Sequence, residues 1–176
     1  PTPSVQHGIT LLSGNSVADA NGPFLGLGFS YMTALRRCKF DRTRLNSDCA
    51  FMAARDYKYA RILSMVGWFP AWQGKEIAPL GFTSQNGTFV PAWSDYDQQL
   101  RDVIDIIYSY GMRTELTIFA DAQLMPNFST RQAHCDRVLA AIAGREHKIM
   151  HLEVCNEAWQ NGFPGSAGVS DLREFA

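Results

Sequence analysis

The sequence lacks the features that mark membrane-spanning and nucleic-acid-binding proteins. No run of residues approaches the roughly 18 consecutive apolar side chains of a membrane-spanning helix. Acidic and basic residues nearly balance, 17 against 16, and give a net charge of −1. The densest basic stretch, residues 36–44, is interrupted by Asp41. We therefore expect no nucleic-acid partner and no membrane span.

The cysteines also lack the spacing of a metal site. There are four of them, with no CxxC pair and no Cys/His spacing typical of zinc binding. We therefore expect no metal and no cofactor. Cys38 and Cys49 would be able to bridge in an oxidising compartment, whereas Cys155 lies in an apolar segment typical of a buried free thiol.

What the sequence does contain is enough apolar material for one domain. Hydrophobic residues make up 46% of the 176 positions, aromatic residues 12% and charged residues 19%. This composition is typical of a globular protein and excludes the disordered and fibrous classes. No linker, change of composition or fixed-period repeat divides the chain, so residues 1–176 are predicted to belong to a single domain.

Strands and helices are predicted to alternate along the chain. Short apolar segments predict strands at 24–30, 59–68, 113–121 and 149–157. The first predicted helix begins at a cap formed by Asn46 or Ser47. The second runs from a capping box of Ser94 and Asp97 to Gly111, and the third from Ser129 or Thr130 to Gly144. A fourth begins at about Ser170. A long loop, 69–93, is rich in glycine, proline and aromatic residues, and its length indicates a functional role. The order predicts a parallel α/β sheet.

Polar side chains recur at every second position of three predicted strands. Arg61 lies in the second strand, Glu115 and Thr117 in the third and Glu153 in the fourth. Buried charges need partners, so Arg61, Glu115 and Glu153 are predicted to form an ion-pair network. A sheet covered by helices on both faces has no place for such a network, whereas the inward face of a barrel does. The pattern favours a (β/α)8 TIM barrel of which this chain supplies about the first four β/α units.

A recognisable motif lies where the fourth predicted strand ends. The segment VCNEAW places Asn156 and Glu157 there, after Arg61 in the second strand and the turn 19–22 near the start of the chain. Together with the order of elements, these residues resemble the retaining glycoside hydrolases of clan A, including the cellulase-like family 5 enzymes. The resemblance covers nearly the whole chain. An Asn-Glu pair is a weak signal alone, and its place at this strand end makes it fairly specific.

The resemblance implies roles for three residues. Glu157 would be the general acid/base, and Asn156 would hydrogen-bond the sugar 2-hydroxyl in the transition state. Arg61 would help to orient the catalytic carboxylates. From the residues alone, Arg61 is equally well explained as a structural partner of Glu153. The lesser alternative for Glu157 is an ion-paired carboxylate at a strand end.

Three further residues are candidate substrate contacts because they lie at predicted strand ends. Trp68 and Trp159 offer flat faces on which sugar rings pack, with ordinary packing as the alternative. Asp121 is expected to bind substrate hydroxyls or to hold a helix cap or loop. The expected partner is an oligo- or polysaccharide with β linkages, which slightly favours a secreted or extracellular setting.

One component of such an enzyme is missing from the predicted elements. A retaining glycosidase needs a second carboxylate about 5 Å from the first, and in the clan this nucleophile lies on the seventh strand. We therefore expect the chain to be the N-terminal half of a longer enzyme, inactive as a fragment. The alternative is a half-barrel that pairs with another chain.

Two other functions remain open from the sequence. One is a non-catalytic carbohydrate-binding or structural TIM barrel that keeps the aromatic residues without turnover. The other is an unrelated barrel enzyme, such as an aldolase or a phosphate-binding isomerase. The aldolase is disfavoured because a Schiff-base lysine is required and none of the four lysines ends a predicted strand.

Overall fold

The chain begins with a small antiparallel sheet. The computed structural model describes residues 8–24 and 26–176, and its first strands are β1 (Leu11–Ser13), β2 (Ser16–Asp19) and β3 (Gly22–Phe24). Gly22 has a φ of +102°, which permits the tight reversal between β2 and β3. The predicted strand 24–30 is therefore wrong in part, because its first residue pairs back onto β2. Leu25 lies outside the described residues.

A four-stranded parallel sheet follows, with helices packed on one of its faces. Its strands, in spatial order, are β4 (Gly28–Ser30), β5 (Tyr59–Leu63), β8 (Arg113–Phe119) and β9 (Ile149–Cys155), and a separate hairpin contains β6 (Phe82–Thr83) and β7 (Phe89–Val90). The helices are α1 (Ala34–Phe40), α2 (Arg42–Ala53), α3 (Tyr96–Ser109), α4 (Phe128–Ile142) and α5 (Gly165–Phe175). The predicted alternation of strands and helices and the parallel sheet are confirmed.

The starts of α2 and α3 differ from the predictions. Helix α2 begins at Arg42, where the Asp41 carboxylate accepts a hydrogen bond from the Arg44 amide at 3.1 Å. The predicted caps Asn46 and Ser47 therefore lie inside the helix. The predicted Ser94 capping box is also wrong, since α3 follows Asp95, whose carboxylate bonds the Lys39 ammonium instead of the helix amides.

The other helix limits were closer to expectation. Gly111 and Gly144 have φ values of +81° and +77° just beyond α3 and α4, as predicted for helix stop positions. Helix α4 begins one to two residues earlier than predicted, after Asn127, and α5 begins at Gly165, five residues before the predicted start.

The register of the parallel sheet separates an apolar face from a polar one. Arg61 lies beside Glu115, and Glu115 lies beside His151, on one face. On the other face Ile62 and Leu116 are neighbours and are fully buried against the helices. The predicted alternation is therefore confirmed. It collects the charged residues in rows on a single face of the sheet.

The long segment between β5 and α3 has structure of its own. It contains the β6–β7 hairpin, a single 3₁₀ turn at Pro70–Trp72 and an antiparallel bridge between Val66 and Ile77. Ile77, Ala78 and Phe82 anchor it in the core.

All four cysteines are free thiols. In the part of the chain that the structure describes, no helix is both long and apolar enough to cross a membrane.

Candidate active site

Glu157 lies two residues beyond the end of β9, at the carboxyl edge of the parallel sheet. Its backbone has a φ of +40°, in the left-handed region, which costs a non-glycine residue about 1–2 kcal/mol. The preceding Asn156 continues the ladder, since its amide donates to the Phe119 carbonyl at 2.9 Å. Glu157 is exposed to solvent. The turn thus projects the carboxylate from the sheet edge at a conformational cost.

Below Glu157, Arg61 is held between two carboxylates. Its Nε and Nη2 donate to Glu153 Oε2 at 2.9 and 2.5 Å, and its Nε lies 3.3 Å from Glu115 Oε1. Thr117 donates its hydroxyl to the same Glu153 oxygen at 2.5 Å. His151 Nε2 lies 3.3 Å from Glu115 Oε1. The predicted network of Arg61, Glu115 and Glu153 is confirmed.

Asn156 joins this network to Glu157. Its Oδ1 accepts a hydrogen bond from Arg61 Nη2 at 3.0 Å, and its Nδ2 lies 3.4 Å from Glu157 Oε2. Because Arg61 only donates, it fixes the side-chain oxygen of Asn156 toward itself and leaves the NH₂ group facing Glu157. Arg61 is thus the structural partner of Glu153 that was considered from the sequence, and it also bonds Asn156. Its orientation of catalytic carboxylates stays a prediction.

Asp121 and Trp68 form a second pair at the same sheet edge. Asp121 Oδ2 accepts hydrogen bonds from the backbone amides of Gly67 and Trp68 at 2.8 and 3.1 Å, and Oδ1 accepts one from Gln123 at 3.1 Å. Asp121 is only 2% exposed. Burial raises the pKa of its carboxyl, and the hydrogen bonds from Gly67, Trp68 and Gln123 oppose that rise. The geometry is that of a carboxylate holding the Trp68 loop.

The loops that follow β8 and β9 contact each other between the Arg61–Asn156–Glu157 group and the Asp121–Trp68 pair. The Ala122 amide donates to the Asn161 carbonyl at 3.1 Å. At Gly162, where φ is +101°, a Cβ would lie 2.5 Å from the Gln123 nitrogen. Arg131 is buried beneath the loop and donates from Nε to the Met125 carbonyl at 2.7 Å. The loop that carries Asp121 and the turn that carries Glu157 are therefore one packed unit.

The structure thus brings five of the six predicted site residues into two adjoining groups. Arg61, Asn156 and Glu157 form one, and Asp121 and Trp68 form the other. Trp159 follows two residues after Glu157 and is 71% exposed. Any role of these residues in binding or catalysis stays a prediction at this point.

Sequence reasoning missed two residues that hold the site, Asn161 and Arg131. Asn161 was visible only as a second asparagine in the segment NEAWQN, five residues after Asn156. Arg131 lies in the first turn of α4 and gave no signal, because a charged residue at a helix start is ordinarily exposed.

No metal site accompanies these groups in the described ranges 8–24 and 26–176, where no cluster of three or more His, Cys, Asp or Glu side chains is arranged to hold an ion. Cys155, on β9 beside the site, is a poor candidate nucleophile. Burial raises the pKa of its thiol to about 12, and the nearby Glu153 carboxylate adds to the rise.

Comparison of the chain with known proteins gives matches in structure alone. No family model and no curated protein matches the sequence. Its fold resembles glycoside hydrolase family 5. A family 5 glycoside hydrolase from Bacteroides vulgatus superposes with a TM-score of 0.67 at 15% identity, over 98% of this chain and 38% of that one. The resemblance that the sequence predicted is thereby confirmed at the level of fold.

Two other matches are similar in kind. A structure described as a glycoside hydrolase has a TM-score of 0.67 at 13% identity and covers 98% of this chain and 39% of its own. An endo-1,4-β-mannanase from Rhizomucor miehei has a TM-score of 0.60 at 9% identity and covers 84% of this chain and 48% of its own. The present chain therefore spans less than half the length of these three structures.

Proposed function

We propose that the chain is the N-terminal half of a (β/α)8 barrel that hydrolyses a β-linked glycan with retention of configuration. The observation that carries the proposal is the bonded series Arg61–Asn156–Glu157 at the carboxyl edge of a parallel sheet. Barrel enzymes place their catalytic groups at this edge. In the proposed mechanism, Glu157 is the acid/base, and Asn156 presents its NH₂ group to the sugar 2-hydroxyl.

Closure of the sheet into a barrel is supported by its two outer strands. Within the described residues, β4 and β9 each pair with a parallel partner on one side only. Beside β4 lies an open groove of about 690 Å³ lined by Phe29, Tyr31, Phe51 and Tyr57 among others. Phe29 is 42% exposed. Free strand edges and apolar grooves favour association, and the second half of the barrel is the occupant we propose.

The proposed chemistry has two steps for Glu157. In the first step, the protonated Glu157 carboxyl donates its proton to the glycosidic oxygen as the glycosidic bond breaks. A second carboxylate attacks the anomeric carbon and forms a glycosyl-enzyme. In the second, the Glu157 carboxylate removes a proton from the water that releases the sugar. A general acid must hold its proton, so we infer that the second half of the barrel covers Glu157, which is exposed in this half.

The nucleophile is proposed to come from the second half of the barrel. The two glutamates nearest in the network are both engaged, because Glu153 accepts from Arg61 and Thr117, and Glu115 pairs with Arg61 and His151.

Substrate contacts are proposed for the aromatic side chains. Trp159 and Trp68 would stack on sugar rings above and beside Glu157. Asp121 would act mainly by fixing the backbone of Trp68, since both of its oxygens are already bonded.

The test is replacement of the acid/base in the complete barrel. Glu157→Gln should lower turnover of β-linked polysaccharides by about 100-fold or more, because general acid/base catalysis contributes that much. Thermal stability should stay unchanged, because the side chain is exposed. The matched control is Glu174→Gln, an exposed glutamate on α5. Unchanged turnover in Glu157→Gln would reject the assignment.

The same assay separates the alternative of a non-catalytic barrel. If the unaltered protein binds β-glycans and releases no reducing ends from any of a panel of glucans, mannans and xylans, the catalytic proposal fails and a binding function takes its place.

A further inference from the structure

We propose that Asn161 is a positioning residue that fixes the peptide between Asn156 and Glu157 and thereby aims the Glu157 carboxylate. This role rests on the proposed function of Glu157. Neither the sequence motif nor the fold comparison points to Asn161. It follows from the hydrogen bonds of the turn.

The first observation is that the Asn161 side chain bonds the peptide that leads into Glu157. Asn161 Nδ2 donates to the Asn156 carbonyl at 2.8 Å. This carbonyl and the Glu157 amide belong to the same planar unit, so a bond to one fixes the orientation of both. Rotation of that plane is what would change the φ of Glu157.

The second observation is that this orientation gives Glu157 an intrinsically unfavourable backbone conformation. Glu157 has a φ of +40°, where the Cβ of an L-residue crowds its own backbone. Such a conformation persists only when the surrounding structure holds it. Asn161 Nδ2 makes the shorter of two side-chain contacts to the carbonyl of this peptide, at 2.8 Å, and the other is Cys155 Sγ at 3.4 Å. The Asn156 backbone amide is held separately by the Phe119 carbonyl at 2.9 Å.

The third observation is that Asn161 is itself immobilised. The Asn161 residue is 4% exposed. Its backbone amide nitrogen lies 3.2 Å from both the Glu157 and the Ala158 carbonyl oxygens. Its own carbonyl accepts from the Ala122 amide at 3.1 Å. The loop carrying Ala122 is anchored in turn by Arg131, whose Nη2 lies 3.3 Å from the Ala122 carbonyl. Asn161 therefore transmits the fixed position of the β8 loop to the turn that carries Glu157.

The test uses two substitutions of Asn161 in the complete barrel. Asn161→Ala removes the amide, and Asn161→Asp keeps the size and removes the donor. Asn46→Ala is the matched control, because Asn46 Nδ2 donates to the Arg42 carbonyl at 2.7 Å in α2, away from the site.

The kinetic readout is kcat/KM for two aryl β-glycosides of the same sugar, which reports the bond-cleavage step. A dinitrophenyl leaving group departs without a proton, whereas an unactivated phenyl group needs the acid. Both Asn161 variants should lose about 10- to 100-fold with the phenyl glycoside, since a misplacement of about 1 Å has that effect, and should change little with the dinitrophenyl glycoside. Asn46→Ala should alter neither.

A crystal structure of Asn161→Asp supplies a readout independent of activity. The Glu157 φ should leave the left-handed region as the peptide turns. An unchanged φ, or an equal loss with both leaving groups, would overturn the positioning role.

Failure of the proposed function is distinguishable from failure of this role. If Glu157→Gln leaves turnover intact, Glu157 is not the acid/base, and both proposals fall. If Glu157→Gln loses turnover selectively with the phenyl glycoside while the Asn161 variants match the unaltered protein, only the role of Asn161 is rejected.

Discussion

Arg61 and Glu153 are bonded across an intervening strand, with the guanidinium 2.5 Å from the carboxylate at its shortest contact. Arg61 lies on β5 and Glu153 on β9, and β8 runs between them. The side chains meet above Thr117, which bonds the same carboxylate. One ion pair therefore ties three strands together on the polar face of the sheet.

Removal of Arg61 is predicted to be costly. Arg61→Met leaves Glu115 and Glu153 without their cation on a face where the Arg61 and Glu115 side chains are only 15% and 11% exposed. Unpairing a buried charge costs about 3–5 kcal/mol, and denaturant unfolding should show a loss of this size. Arg44→Met removes the pair with Asp48, in which the Arg44 side chain is 60% exposed, and should cost less than about 1 kcal/mol. Equal losses would contradict burial as the cause.

Gly162 is predicted to tolerate no side chain. Gly162→Ala would bring a Cβ within 2.5 Å of the Gln123 nitrogen and 2.7 Å of the Ala122 carbonyl carbon, so one of the two site loops must move. Gly22→Ala is the matched control, because Gly22 has a φ of +102°, nearly the same as that of Gly162, and open space around its Cβ position. Beyond the backbone strain shared by both, Gly162→Ala should cost about 1–3 kcal/mol more. Thermal unfolding of the two variants measures the difference, and equal losses would exclude a role for the contact.

His134 is predicted to make the protein sensitive to acid. Its Nε2 lies 3.0 Å from Ser64 Oγ and 3.2 Å from the Ile118 carbonyl, and its Nδ1 has no partner among the described residues. Burial lowers the pKa of His134 to about 4. The unfolded chain therefore binds a proton at higher pH than the folded chain does, and stability is lost as the pH falls from about 6.5 to about 4.

The matched variant isolates this effect. His134→Gln keeps a donor for the same neighbours and does not titrate. The unfolding free energy of the unaltered protein should fall by about 3 kcal/mol more than that of His134→Gln between pH 7 and pH 4. The raised pKa of Asp121 acts in the opposite direction, and it cancels because both proteins contain it. Parallel pH profiles would contradict a neutral, buried His134.

The predictions from sequence held where local patterns decide structure. Alternation of side chains along a strand is a property of extended backbone, so the faces of Arg61, Glu115 and Glu153 were readable in advance. Helix starts were predicted less well: Asp41 caps α2 ahead of the predicted Asn46 or Ser47, and Asp95 precedes α3 with its carboxylate on Lys39. The break after Phe24 was also missed: the turn 19–22 was predicted, but the pairing of Phe24 with Val17 on β2 was not.

By itself, the sequence determined the order of strands and helices, the polar face of the sheet and the position of Asn156 and Glu157 at a strand end. These depend on periodicity over a few residues. Only the tertiary structure decided that Asn156 turns its oxygen to Arg61, that Asp121 holds the Trp68 loop and that Asn161 fixes the turn of Glu157. Arg61 and Asn156 are 95 residues apart in the chain. Such hydrogen bonds depend on which segments pack together, and local sequence does not specify that.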